Sequence, residues 1–374
     1  MSEPIHQADG RADAEARRWL TELGTWRGKD LTFMEVCGTH TMAAARAGLR
    51  QLLPASIRLI SGPGCPVCVT PVGYVDHAIA LAELPGVTIT TFGDLLRVPG
   101  SARGPKRTAA PSLATARAAG ADVRVVFSPL DALALARAHP ERQVIFLGVG
   151  FETTAPTLAA AVLQAAASGL GNFAMLVAAK TIPTPLEVLA SSPELRLDGL
   201  LCPGHVSVVL GPEAYRPLCE RYHLPCAIAG FEPVEMLRGL GALVEQVRAG
   251  EARVDNCYPG AVRPGGNPKA RAVIERAFRP VDSVWRGLGV IPRSGLALRD
   301  DFGAYDAARR FEVKLPAPVE PAGCRCGDVL RGVLDPADCP LFGGLCTPEQ
   351  PQGACMVSSE GSCAARYQYR SEGG

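Results

Sequence analysis

The sequence lacks most of the signatures that would hand a protein an obvious chemistry. No G-x-x-x-x-G-K-[ST] phosphate loop occurs, and the nearest stretch, GPGCPVCVT (62–70), has no lysine. No strand leads into G-x-G-x-x-G with a downstream acidic partner for a ribose; GVGFETT (148–154) comes nearest and lacks the third glycine. There is no C-x3-C-x2-C triplet of the radical type. Any nucleotide-driven step therefore falls to a partner. An excess of charge is missing too: 38 basic residues face 37 acidic ones, a net +1, with no long run of either sign. That removes support for binding nucleic acid or another polyanion. No uninterrupted apolar run reaches the ~18 residues of a membrane span. The N-terminus, MSEPIHQADGRADAEARRWL, has no apolar signal-peptide core. The expectation is a soluble, cytosolic protein with neither a membrane nor a nucleic-acid partner.

What is present is ample apolar material and an unusual number of thiols. At 47% hydrophobic residues over 374, the chain can fill two domains and part of a third. Thirteen cysteines in a reducing compartment point to metal ligands or redox centres rather than structural staples. Cys324, Cys326, Cys339, Cys346, Cys355 and Cys363 crowd the last 51 residues, while Cys37, Cys65 and Cys68 sit in Gly/Pro-rich turns near the other end. Cys202, Cys219, Cys226 and Cys257 are scattered between and read as buried small residues.

From residue 31 to about 250, apolar strands alternate with alanine-rich helices. Strands are expected at 31–36, 57–61, 87–92, 122–127, 143–149, 173–179, 198–202 and 226–231, a spacing that fits βα units in parallel sheets buried on both faces. The fold class is α/β: two doubly wound parallel-sheet domains plus a cysteine-rich C-terminal iron–sulfur segment. The expected division is a helical extension over 1–29, one α/β domain over 30–128, a second over 129–255, and a loop-rich region over 256–374. FMEVCGTHT (33–41) and FLGVGFETT (146–154) echo each other, which suggests an internal duplication. The segments NCYPGAVRPGGNPKA and VWRGLGVIPRSG look like ordered loops, and EVKLPAPVEPAG (312–323) like a Pro-rich linker.

Four motifs fall at strand carboxyl ends, where sites of open α/β sheets lie. In EVCGTHT, Cys37 precedes a helical stretch, whose N-terminus favours a thiolate. His40 is a ligand, a proton partner or a polar first-turn residue, and Thr39 and Thr41 are expected to cap the helix. In GPGCPVC (62–68), Cys65 and Cys68 are a zinc clamp, a redox pair, or a by-product of turn chemistry. GFETTAP (150–156) offers Glu152, and PGHVS (203–207) offers His205. In the tail, Cys326, Cys339, Cys346 and Cys363 are spaced C-x12-C-x6-C-x16-C, with Cys324 and Cys355 as alternates. Zinc would prefer paired close spacings; four thiolates on irregular loops suit an iron–sulfur cluster better. The surplus thiols leave room for a redox disulfide beside it.

Together CGTHT, GPGCPVC, GFETTAP, PGHVS and GACMVSSEG, in that order from about residue 30 onward, resemble the HypD family of nickel–iron hydrogenase maturation proteins. The resemblance implies a scaffold that pairs with the small chaperone HypC and holds iron while cyanide and carbonyl ligands are added to make an Fe(CN)2CO unit. Cyanide would come from HypE, using a carbamoyl group prepared by HypF. It also implies that Cys37 binds the iron with a HypC cysteine, near Cys65 and Cys68. That pair would exchange electrons with a 4Fe-4S cluster in the tail, and His40, Glu152 and His205 would be surrounding polar groups. A thiolate suits an electron-rich ferrous iron, and a dithiol supplies electrons in pairs. The protein is then more an assembly scaffold with redox activity than a turnover enzyme. Two other classes compete: an iron–sulfur thiol–disulfide oxidoreductase acting on a protein substrate, and a metal-binding module with zinc at both cysteine clusters.

Overall fold

The computed structural model describes residues 10–101, 110–315 and 317–369. Eight of its strands lie where apolar β-rich runs end in glycine, proline or a polar turn. They are β1 (Leu31–Glu35), β2 (Ile57–Ser61), β3 (Val87–Thr91), β4 (Asp122–Val125), β5 (Gln143–Gly150), β6 (Phe173–Ala179), β7 (Gly199–Pro203) and β8 (Cys226–Ala229). All pair in parallel. β3 and β7 are buried along their whole length, as strands covered by helices on both faces must be. The covering helices start with local signals; at Pro129–Ala138, for example, Ser128 and Asp131 form a capping box around a proline at the first position.

The strands form two sheets, of order β2-β1-β7-β8-β9 and β4-β3-β5-β6, where β9 is Val254–Asn256. Sheet membership crosses the boundary expected at 128/129, because β1 and β2 join β7, β8 and β9 while β3 to β6 form the other sheet between them in sequence. β1 takes both neighbours, β2 and β7, through parallel ladders. A parallel partner needs a long crossover rather than a turn, so the chain can build the whole second sheet inside that crossover. The strands that carry the echoing motifs, β1 and β5, hold matching central places in the two sheets.

Strand order reverses between β1 and β7 in the first sheet and between β3 and β5 in the second. Crevices open at such switch points beyond the strand carboxyl ends. CGTHT and PGHVS leave from β1 and β7, and GFETT leaves from β5.

Beyond residue 256 the expected loops are found in part: residues 257–267 form no helix or strand, whereas VWRGLGVIPRSG lies in a hairpin. Helix Pro268–Ala277 leads into an antiparallel hairpin of β10 (Phe278–Trp285) and β11 (Gly289–Leu298). β10 carries Pro280 and the charged Arg279 and Asp282, and most of its residues are at least partly exposed, so no apolar run announced it. Among the described residues no regular element lies between Phe311 and Gly323, in keeping with the Pro-rich linker, and four short helices carry the cysteine tail. Helix Gly10–Leu23 is the described part of the N-terminal extension; residues 1–9, and 370–374 at the other end, lie outside the described residues. Its Trp19 lies flat enough on helix Pro233–Ala249 that a Cβ on Gly241 would meet the indole at 2.4 Å.

Candidate metal and redox centre

β1 ends in Glu35, and two residues later Cys37 stands at the N-cap of helix Gly38–Arg46. The β2 turn comes directly against it. Gly64 O accepts Gly38 N–H at 2.9 Å, and a Cβ on Gly64 would lie 2.3 Å from Cys37 N and 2.5 Å from its Cα. Only glycine permits that approach, and it sets Cys65 beside Cys37 in space. Cys65 then caps the short helix Pro66–Val69, its Sγ accepting Cys68 N–H at 3.1 Å, with Pro66 fixing the first turn. Cys65 and Cys68 are joined as a disulfide, with Cα atoms 5.3 Å apart. Both are buried, at 3% and 0% exposure.

The helix N-terminus does not make Cys37 acidic. Burial pushes its thiol up to about 12, outweighing the His40 N–H bond that favours the thiolate, and the charges of Glu360 and Glu35 push the same way as burial. Thr39 and Thr41 are not caps either. Thr39 donates to Glu360 Oε1 at 2.9 Å, and Thr41 to Glu35 Oε1 at 2.7 Å.

Glu35 is a residue that sequence reasoning passed over, although it lies inside EVCGTHT. It is fully buried, and burial lifts its carboxyl to about 7 against the counter-pull of Arg50, 3.5 Å away. It accepts from Ser61 Oγ at 2.5 Å and Cys37 N–H at 3.3 Å, so one carboxylate ties the ends of β1 and β2 and the Cys37 turn together.

The structure brings His40 and His205 together, but through a third ring. His40 packs on Phe231 at 4.8 Å and His205 stacks on it at 4.0 Å. His40 Nε2 bonds Gly230 O at 2.8 Å, and burial lowers its pKa to about 4, so the ring is neutral at pH 7. Its Nδ1 is buried without a hydrogen-bond partner. His205 is exposed at its edge. Glu152 is elsewhere: its Oε1 accepts Ile182 N–H at 2.9 Å, its Oε2 has no partner, and burial raises its carboxyl to about 7.

The tail folds back over these motifs. All six of its cysteines line one small cavity of about 20 Å³ with Leu341, Phe342 and Met356 among its apolar walls. Cys326 Sγ touches Cys355 Sγ at 2.7 Å. Hydrogen bonds from Cys324 and then Cys355 hold Cys326 well below the usual thiol range, and correspondingly raise those two. Cys346 Sγ accepts Gln352 N–H at 3.3 Å. Among the described residues, no group of three or more His, Cys, Asp or Glu side chains is arranged to hold a single metal ion.

Leaving that cavity, the segment SSEG (358–361) reaches both N-terminal sites. Ser358 Oγ lies 3.3 Å from Cys65 Sγ, and Glu360 meets Thr39 next to Cys37. Asp94, just past β3, fastens the segment by accepting from Ser358 Oγ at 2.9 Å and from Ser359 N–H and Oγ at 3.1 and 3.0 Å. Ser358 and Glu360 lay within the quoted GACMVSSEG; nothing in the sequence singled out Asp94.

Cys202, Cys219 and Cys226 are buried in the core, as expected, with the thiols of Cys219 and Cys202 in contact with that of Cys226.

A family model described as "HypD: Hydrogenase formation hypA family" matches residues 14–370. The match therefore begins inside helix Gly10–Leu23, earlier than the motifs. A protein of Rhizobium leguminosarum bv. viciae named hydrogenase maturation factor HypD is 46% identical over 368 residues, covering 96% of this chain and 94% of its own. Proteins of the same name from Azotobacter vinelandii and Escherichia coli (strain K12) are 47% and 45% identical. They cover 90% and 92% of this chain, and 88% and 90% of their own.

Proposed function

The chain belongs to the HypD family of hydrogenase maturation factors, and from that premise we propose that it is the scaffold on which an iron ion acquires its cyanide and carbonyl ligands. The observation that carries this reading is the path of residues 353–363. One short segment lines the six-cysteine cavity, touches Cys65 through Ser358 and braces the Cys37 turn through Glu360. A site for an iron cargo, a dithiol couple and a cysteine-rich pocket are thereby packed into one unit.

Cys37 is the iron anchor. Cys65 and Cys68 are bonded to each other, which leaves Cys37 the free thiol of the three. Its high pKa means that the iron must displace the proton, as ligand thiols require. The buried, neutral His40 with its orphan Nδ1, three residues on, adds a polar atom to the same turn. A small chaperone of the HypC type would supply the opposing cysteine, and a HypE-type protein the cyanide.

The tail thiols fit a 4Fe-4S cluster by donor chemistry: thiolates in an apolar wall, with a backbone N–H aimed at Cys346 Sγ. Such a cluster takes one thiolate per corner, so its ligands need not converge on one ion. The cavity holds about one water's volume, and the thiols must swing apart to admit the group. Because Cys326 Sγ and Cys355 Sγ lie only 2.7 Å apart, the ligand set we assign is Cys324, Cys339, Cys346 and Cys363, with Cys326–Cys355 a second redox pair beside it. When bound, the cluster would supply electrons singly.

Burial of Cys65 and Cys68 argues against the oxidoreductase alternative, since a protein disulfide has no access to them. The test is infrared spectroscopy of the anaerobically purified complex with its small chaperone. Wild type is expected to show cyanide and carbonyl bands, and C37A to lack them. C37A that keeps both sets of bands would overturn the anchor assignment.

A further inference from the structure

We propose that Ser358 and Asp94 form the proton path of the Cys65–Cys68 couple. The inference rests on reading that pair as redox-active, and supplies residues that its chemistry requires. Converting a disulfide to two thiols takes up two electrons and two protons, and oxidation releases them. Electrons can come from a donor held at a distance, but protons pass only between atoms within hydrogen-bond reach. With Cys65 and Cys68 at 3% and 0% exposure, bulk water does not reach the sulfurs freely.

A chain of the right atoms does reach them. Cys65 Sγ lies 3.3 Å from Ser358 Oγ, and Ser358 Oγ donates to Asp94 Oδ2 at 2.9 Å. Asp94 is half-buried and lines a cavity of about 150 Å³ along with Pro66, Val67, Thr154 and Glu360. The two bonds from Ser359 to the same Oδ2 fix the carboxylate in place. Glu360 is the other acid here; burial and then the charge of Asp94 raise its carboxyl, but its Oε1 is engaged with Thr39, off the chain.

On oxidation the Cys65 S–H bond breaks. Its proton passes to Ser358 Oγ while the Ser358 proton passes to Asp94. Asp94 releases that proton to the cavity it lines, the Cys68 proton then follows through Cys65 along the same path, and the S–S bond forms as two electrons leave to two equivalents of a one-electron acceptor. Reduction runs the same transfers backwards, Asp94 being reprotonated from the cavity.

The test uses the full-length protein, purified without oxygen with the pair oxidised, and mixed with reduced methyl viologen. Two viologen radicals each give one electron, and two protons enter. Viologen bleaching gives the rate, and alkylation with peptide mass spectrometry gives the state of Cys65 and Cys68. S358A and D94N are expected to slow reduction by about tenfold or more, the lower range of proton-transfer effects. S358T, which keeps a hydroxyl, and R97A, which removes a tail anchor at Pro348 O and leaves the Cys65–Ser358–Asp94 contacts intact, are expected to stay near the wild-type rate. The equilibrium potential of the pair in a thiol buffer is expected to be the same in S358A and wild type. Reduction of S358A at the wild-type rate overturns the proposal, as does R97A being as slow as S358A, which would mean a loosened tail. If the wild-type pair takes no electrons from viologen while folded, the redox reading itself fails.

Discussion

Gly64→Ala is the sharpest test of how the two cysteine motifs are brought together. The added Cβ would stand 2.3 Å from Cys37 N, 2.5 Å from Cys37 Cα and 2.6 Å from the Val36 carbonyl carbon, all of them backbone atoms. Ordinary van der Waals contact starts near 3.4 Å, so the two turns must separate by about 1 Å, since backbone cannot rotate away as a side-chain tip can. Overpacking of this kind costs about 1–3 kcal/mol. The Gly64 O···Gly38 N–H bond of 2.9 Å would stretch and add about 1 kcal/mol. The total, about 2–4 kcal/mol, is a large part of a typical folding free energy but does not exceed it. G64A should therefore fold, melt several degrees below wild type, and lose cyanide and carbonyl bands out of proportion to its lost stability. Gly171→Ala is the matched control, because nothing lies within 4 Å of its added Cβ. Thermal melts by circular dichroism and infrared spectra of the chaperone complex measure both quantities. G64A that matches G171A in both would refute the idea that close approach demands this glycine.

Three further outcomes follow from the same contacts. Burial raises the Glu152 carboxyl to about 7, so the folded chain holds that proton more tightly than the unfolded one. The stability it confers is full below about pH 4.5 and lost as pH rises to 7, up to about 3 kcal/mol. Melting temperature should thus fall more steeply from pH 5 to 7.5 in wild type than in E152Q, the contributions of Glu35 and His40 being common to both; parallel curves would contradict this. In the tail, C324S should lose most of its iron and acid-labile sulfide on anaerobic purification while C326S keeps them, and the reverse result would return Cys326 to the ligand set. Phe231→Ala should release both His40 and His205 from their shared ring, at about 2–3 kcal/mol, below the cost for a fully buried Phe because this ring is partly exposed. A change of less than 1 kcal/mol by denaturant melt would show that the ring does not organise them.

The sheets were legible because parallel strands buried on both faces need unbroken apolar runs, as in VTITT and QVIFLGV, and these admit little else. All four motifs lie at strand carboxyl ends for the same reason: the runs stop where the turn begins. The hairpin β10–β11 was not legible, since FRPVDSVW is largely exposed and carries proline and charge. The sharing of sheets was hidden as well, because a parallel strand's sequence does not say which neighbours it takes. For single residues the limit was burial. Helix position argued for an acidic Cys37, but desolvation of the thiol outweighs a few N–H dipoles, and sequence gives the dipoles without the desolvation. Glu35 and Ser358 stood in quoted motifs, yet only packing shows that one binds two strand ends and the other meets a cysteine nearly 300 residues away.

That interleaving bears on how the site is held. The Cys37 and Cys65 turns belong to the sheet built from β1, β2, β7, β8 and β9, whereas Asp94 follows β3 in the other sheet. No covalent turn fixes Asp94 against Cys65; the tail does, by way of Ser358 and Ser359. The tail also braces the Cys37 turn, because a Cβ on Gly38 would lie 2.4 Å from the Cβ of Glu360. A shift of either sheet therefore changes the distance between the two cysteine sites and the group that touches both. Rigid packing at such contacts transmits displacements of a few tenths of an ångström. Loading the six-cysteine cavity, which must open the thiols outward, would move Cys355 and Cys363, the residues that flank SSEG. The width of the tail cavity and the alignment of Ser358 with Cys65 are thereby coupled, and because the 3.3 Å contact goes with a cavity of only about 20 Å³, opening that cavity should change the rate at which viologen reduces the couple; equal rates for protein with and without tail iron and sulfide would contradict this.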